Sequence, residues 1–192
     1  PAAIALLIAS EQIISALFGY GSFGELGVKN SSKALFYFAL GLPAFSLIKI
    51  FSSFFFARHN TKIPFYISLF SVILNASLSI YFFSKIGFII IPIATTISSW
   101  FNALILFLFL RYKNYFQFNL IFLSTVPKII LSTTLMGYIF YLLINFFSDK
   151  LSYSYEFKLI YLILIVIFTF FVYLASSVLT KAFKLSDIKL KY

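Results

Sequence analysis

A chain of 192 residues that is 62% hydrophobic and 22% aromatic, with only 10% of its side chains charged, cannot cover itself with polar surface as a soluble globule does. Its mean hydropathy of +1.03 also excludes disorder, which requires low hydrophobicity. What remains is an all-α polytopic membrane protein, and the length accommodates about six spanning helices. The absence of Cys, a single His and only 5 acidic residues leave little for nucleophilic, metal or acid–base chemistry, so no catalytic residues, metal or cofactor are expected. The net charge of +10 reads as positive-inside asymmetry rather than affinity for nucleic acid.

Taken in chain order, the charges cut the sequence into helices predicted over 1–18, 33–57, 63–84, 86–110, 121–147 and 157–180. Each is near the roughly 20 residues needed to cross a hydrocarbon core. The first carries Glu11. It is followed by a connection rich in turn residues, with Gly19, Gly21, Gly24 and Gly27. The second carries Lys49 and is expected to bend at Pro43, within Gly41-Leu42-Pro43. Asn60-Thr61 followed by Pro64 reads as a cap and first-turn proline opening the third helix, and His59 just before it reads as a solvated loop residue. Lys85-Ile86-Gly87 is a tight hairpin into the fourth. Pro127 lies where the fifth starts or kinks. The chain begins at Pro1 with an apolar run and no basic segment ahead of it, which reads as a fragment whose upstream part lies outside this sequence.

Lys and Arg set the orientation. Arg58, Lys62, Arg111, Lys113, Lys181, Lys184, Lys189 and Lys191 share one side with a single acid, Asp187. Lys29, Lys33, Lys85, Lys150 and Lys158 share the other with Glu25, Asp149 and Glu156. The asymmetry predicts that Arg58, Arg111 and the C-terminal tail are cytoplasmic.

Polar groups within spans are where function is sought. Lys49 falls roughly 13 Å inside the boundary marked by Arg58, at about 1.5 Å per residue. It either snorkels to the interface or lines a cavity. Glu11 lies about 12 Å from the outer end of its helix. It reads equally as a structural pair, with Lys49 as one possible partner, or as an ion- or proton-coupling site. Ser68, Ser71, Asn75 and Ser79 share one face of the third helix, and Thr95, Ser98, Ser99 and Asn102 one face of the fourth. Thr169, Tyr173, Ser176 and Thr180 share a face of the sixth. Such faces pack helices together or line a substrate path. Asn75 and Asn102 join Lys49 and Glu11 as cavity candidates. Arg58 and Lys62 read as cytoplasmic rim or topology determinants, and Pro43 as a hinge.

Two stretches carry a family resemblance. The first runs from Glu11-Gln12 to Leu17-Phe18-Gly19-Tyr20-Gly21-Ser22-Phe23. The second is Gly41-Leu42-Pro43-Ala44-Phe45-Ser46-Leu47-Ile48-Lys49, continued by Phe55-Phe56-Ala57-Arg58-His59-Asn60-Thr61-Lys62-Ile63-Pro64. Together they resemble the MurJ/MviN-type lipid II flippases of the MOP exporter superfamily. In that family a Glu-Pro-Ile turn precedes Leu-Phe-x-Arg-Gly-x-Phe, and Gly-Leu-Pro-Ala-Phe-x-Leu-x-Lys precedes Phe-Tyr-Ala-Arg-x-Asp-Thr-x-Thr-Pro. Gln12, Tyr20, Phe56, Asn60 and Ile63 depart from the pattern.

The resemblance implies the last six of fourteen helices. Residues 1–113 would then belong to the C-terminal lobe, and 114–192 would form the final helix pair and a basic tail. It implies a bacterial inner-membrane transporter that moves an undecaprenyl-pyrophosphate-linked peptidoglycan precursor between leaflets by alternating access. Its partners would be that lipid-linked precursor, the bilayer and the upstream helices of the same protein, with the final helix pair offering a groove to the lipid tail. Two other readings stay open: an exporter of another lipid-linked oligosaccharide or a drug, and a non-transporting six-helix scaffold.

Overall fold

The computed structural model describes residues 1–116 and 120–182, with the backbone alone for 120–123. Every regular element among the described residues is helical. In chain order these are α1 (Ala2–Ile8), α2 (Ser10–Phe18), α3 (Glu25–Phe56), α4 (Lys62–Ile86), α5 (Ile90–Tyr112), α6 (Leu120–Phe146) and α7 (Lys158–Leu179). Short 3-10 turns occupy Gly87–Ile89 and Ser148–Leu151. The tail residues Lys184, Asp187, Lys189 and Lys191 lie outside the described residues.

By length and composition, four stretches among the described residues can cross a membrane: Glu25–Phe56, Lys62–Tyr112, Ser124–Phe146 and Lys158–Leu179. The second is two helices. Gly87 takes φ 74°, a left-handed conformation that glycine adopts without steric cost, and there the chain turns from α4 into α5. The hairpin falls where Lys85-Ile86-Gly87 predicted it.

Two expected boundaries are corrected. The helix expected over 1–18 is divided at Ala9 (φ −119°, ψ 27°) into α1 and α2, of 7 and 9 residues. The break lets the halves pack on different partners, α1 on α6 and α2 on α7, with Ala9 fully buried between them. The second predicted helix starts at Glu25 rather than residue 33, so Gly24 ends the loop and Gly27 lies inside α3. Glu25 in the first turn favours that start through the helix dipole, and Val28 is buried.

Around the start of α4 the local expectations stand. Asn60 accepts the amide of Ile63 through its side-chain oxygen at 3.4 Å, capping α4 just ahead of Pro64. His59 is exposed in the loop with φ 55°. α6 runs through Pro127.

The chain forms two compact units, residues 1–32 with 118–192, and residues 33–117. In the first, Ala9, Ala16, Met136, Phe140, Ile144, Leu162 and Ile165 make one apolar core. The α6–α7 pair is tied by Ser132 and Thr180, whose hydroxyls meet at 3.0 Å. In the second, Phe51, Phe55, Ile67, Leu106 and Leu110 pack α3, α4 and α5 together. Large apolar side chains such as Ile80 and Leu179 remain about four-fifths exposed, which suits helices solvated by lipid.

Candidate functional site

The polar faces predicted on the third and fourth helices meet. They are the facing sides of α4 and α5, which run antiparallel: Ser68 opposes Asn102 and Asn75 opposes Thr95. The Asn75 amide donates to the Thr95 hydroxyl at 3.0 Å and the Ser98 hydroxyl at 3.4 Å, while Ser79 donates to the Asn75 carbonyl oxygen at 3.4 Å. Asn102 donates to Ser68 at 3.5 Å, and its side-chain carbonyl oxygen is buried with no hydrogen-bond partner. In a low-dielectric interior an unpaired acceptor of this kind costs free energy, so an occupant with a donor would relieve it.

Phe45 and Ile48 of α3 close these faces into a cleft of about 430 Å³, with Ser71, Asn75, Thr95, Ser99 and Asn102 among its walls. The hydroxyls and amides of these faces have two visible roles here. They bond helix to helix, and they line a space large enough for a ligand group.

α3 is held to α5 at its weakest point. Pro43 has no amide hydrogen and cannot donate to the carbonyl of Ala39, yet α3 continues through it to Phe56. Beside this gap, Thr96 donates to the Tyr37 carbonyl at 2.7 Å and Trp100 donates through its indole N–H to the Leu40 carbonyl at 3.1 Å. A Cβ on Gly41 would stand 3.0 Å from the Thr96 hydroxyl, tight enough to press on that hydrogen bond.

The charged candidates are placed as follows. Lys49 is exposed on α3 and is not among the residues lining the cleft; its neighbour Ile48 is. Glu11 is exposed on α2 and lines a different cavity, described below. The two belong to different units. Lys62 is exposed at the start of α4. Arg58 is a structural tie: its guanidinium donates to the carbonyls of Phe54 at 3.0 Å and Tyr115 at 3.3 Å and lies 4.4 Å from the centre of the Tyr115 ring.

Lys158, counted from the sequence only as a charge of the non-cytoplasmic side, is 1% exposed. Its ammonium donates to the carbonyls of Gly19 at 2.8 Å and Tyr153 at 2.7 Å, between the rings of Tyr20 and Tyr153. No sequence pattern distinguishes such a lysine from a solvated one, because both its carbonyl acceptors belong to loops brought in by the fold.

Long apolar helices with lipid-compatible outer faces and a polar cleft among α3, α4 and α5 define a multi-pass helical membrane protein. Comparison with known proteins narrows this. The family described as "Lipid II flippase MurJ" matches residues 1–163, and the chain belongs to that family, whose members are transporters rather than enzymes. It is 34% identical over 152 residues to the probable lipid II flippase MurJ of Rhizobium meliloti, covering 79% of this chain and 28% of that protein. It is 35% identical over 188 residues to the probable lipid II flippase MurJ of Thermotoga maritima, covering 98% of this chain and 36% of that protein. A solved structure titled "Lipid II flippase MurJ, inward closed conformation" is similar with a TM-score of 0.71 and 26% identity, over 94% of this chain and 36% of that one. The chain thus spans about a third of the length of these relatives.

Proposed function

We propose that this chain is the C-terminal part of a lipid II flippase, a protein that carries an undecaprenyl-linked peptidoglycan precursor from the inner to the outer leaflet by alternating access. The observation that carries the reading is the family match over residues 1–163, with the solved flippase covering 94% of the chain. On this reading the chain supplies the last six of fourteen helices. Residues 1–113 belong to the C-terminal lobe, and 114–192 are the final pair and tail. The contact units divide the chain differently because they record packing within it, whereas a lobe is defined by the whole transporter.

Such a protein must shelter a charged, sugar-bearing headgroup while its polyprenyl tail stays in lipid. The cleft of α3, α4 and α5 supplies neutral hydrogen-bonding groups, with Asn75 and Asn102 the strongest among them. Lys49 and Glu11 act at wet surfaces of the assembled transporter, and Pro43 is the hinge of α3. The apolar surfaces of α6 and α7 face the lipid tail. Arg58 and Lys62 lie on the cytoplasmic side of a bacterial inner membrane, with the C-terminus on the same side, as the distribution of Lys and Arg supports.

The test is genetic. The full-length protein containing this chain sustains growth and wall synthesis in a bacterium depleted of its own lipid II flippase. Lysis at normal abundance and correct membrane insertion would refute the reading.

A further inference from the structure

The loops that bury Lys158 have a second face. There Glu11, Gln12 and Ser15 of α2, Glu25 at the start of α3, and Ser148 and Ser152 before α7 line a cavity of about 240 Å³, closed on one side by Tyr153. Its formal charge is negative, since two carboxylates line it and no basic side chain does. The two lysines of the flanking loop and helix start are engaged elsewhere, Lys158 on the carbonyls of Gly19 and Tyr153 and Lys150 on the Tyr161 hydroxyl at 3.0 Å.

Ser15 supplies an independent sign of an occupant. It is 4% exposed, and its hydroxyl has no hydrogen-bond partner. Other helical hydroxyls, such as Ser71 and Thr169, bond back to the carbonyl one turn earlier, at 2.8 Å in both cases. Ser15 leaves that option unused and lies in the wall of the acidic cavity. The wall is also fixed in place: the Tyr153 hydroxyl donates to the Phe23 carbonyl at 2.9 Å, and the Tyr153 carbonyl accepts from Lys158.

We propose that this cavity binds an organic ammonium group, a primary amine on an aliphatic stem. An ammonium has three donors and no acceptor, matching a wall of carboxylate, amide and hydroxyl oxygens. The volume is several times the roughly 30 Å³ of one water, which leaves room for an alkylamine stem. A hard metal ion fits less well, because among the described residues no three of His, Cys, Asp and Glu gather to hold one. The same loops already hold one ammonium, that of Lys158, 4.7 Å from the centre of the Tyr153 ring. The inference rests on this cavity alone and is independent of what the whole protein transports.

The test uses the full-length protein containing this chain, purified in detergent, and thermal unfolding at constant ionic strength, with 1,5-diaminopentane as the probe. The diamine should raise the melting temperature saturably, whereas tetramethylammonium, which has no N–H donor, and calcium chloride should not. Replacing both acids (E11Q with E25Q) should abolish the shift. If that double variant does not fold, E25Q alone, at an exposed position, should weaken the half-saturation by about tenfold, as expected for one charge-assisted hydrogen bond. An equal shift with tetramethylammonium, a shift from calcium alone, or a diamine response unchanged by E25Q would each overturn the proposal.

Discussion

Thr96 of α5 donates its hydroxyl to the main-chain carbonyl of Tyr37 at 2.7 Å, one turn before Gly41 and Pro43 in α3. Trp100, one turn further along α5, does the same for Leu40. Two side chains thus engage the backbone of α3 beside the point where its own ladder is interrupted. Thr96→Val keeps the shape and removes the donor. It should cost about 0.6–1.7 kcal/mol, the range of interhelical hydrogen bonds in membranes. Gly41→Val drives a side chain into the Thr96 hydroxyl and should cost more, about 1–3 kcal/mol. Reversible unfolding in mixed micelles measures both; a silent Gly41→Val would mean the helices are not held this close.

Lys158 fastens the loop after α2 to the loop before α7. Lys158→Met fills similar space but removes two hydrogen bonds to carbonyls and the contacts with Tyr20 and Tyr153. The expected loss is about 2–4 kcal/mol, net of the ammonium's desolvation. Protease sensitivity should rise first within residues 19–24 and 152–157. Unchanged unfolding and unchanged cleavage would show that the clasp carries no stability.

Arg58 separates a structural from a topological role. Lysine preserves the charge that orients the protein but lacks the planar fork whose two nitrogens reach the Phe54 and Tyr115 carbonyls while the guanidinium lies on the Tyr115 ring. Arg58→Lys should therefore leave insertion topology intact and lower stability by about 1–2 kcal/mol. Cysteine-accessibility mapping and unfolding together check this. Equal stability of the two proteins would leave topology as its sole role.

Lys150 lies in the loop before α7, and its hydrogen bond to the Tyr161 hydroxyl raises its pKa above the ordinary 10.5. A raised folded-state pKa stabilises the protein fully below pH 10.5, and the stabilisation fades as pH climbs through the folded value. Melting temperature should thus be insensitive to this pair near neutrality and decline at strongly alkaline pH, more steeply than in Lys150→Met. Parallel profiles for the two proteins would contradict the assignment.

What the sequence disclosed followed from periodicity. Ser68, Asn75, Thr95 and Asn102 recur at helical spacing on apolar helices, so their shared faces were readable, and Gly87 marked the hairpin that makes those faces meet. The break at Ala9 was not readable, because nothing in an apolar run reveals that its halves pack on α6 and α7 separately. Glu25, Lys29 and Asn30 looked like loop because polar residues commonly mark helix ends, yet Val28 is 2% exposed, and burying it favours a helix that extends outward. Lys49 was singled out by depth along its helix. Depth does not fix direction, and it is Ile48, one residue earlier, that faces the cleft.

The central claim is that this chain completes a flippase. Its most direct measurement is transport of a fluorescent undecaprenyl-linked precursor across proteoliposomes containing the full-length protein. Protein-dependent movement between leaflets is expected, and it should fall sharply when Asn75 and Asn102 are replaced by leucine at unchanged reconstitution. Movement no faster than in protein-free vesicles, under conditions where a known flippase is active, would contradict it.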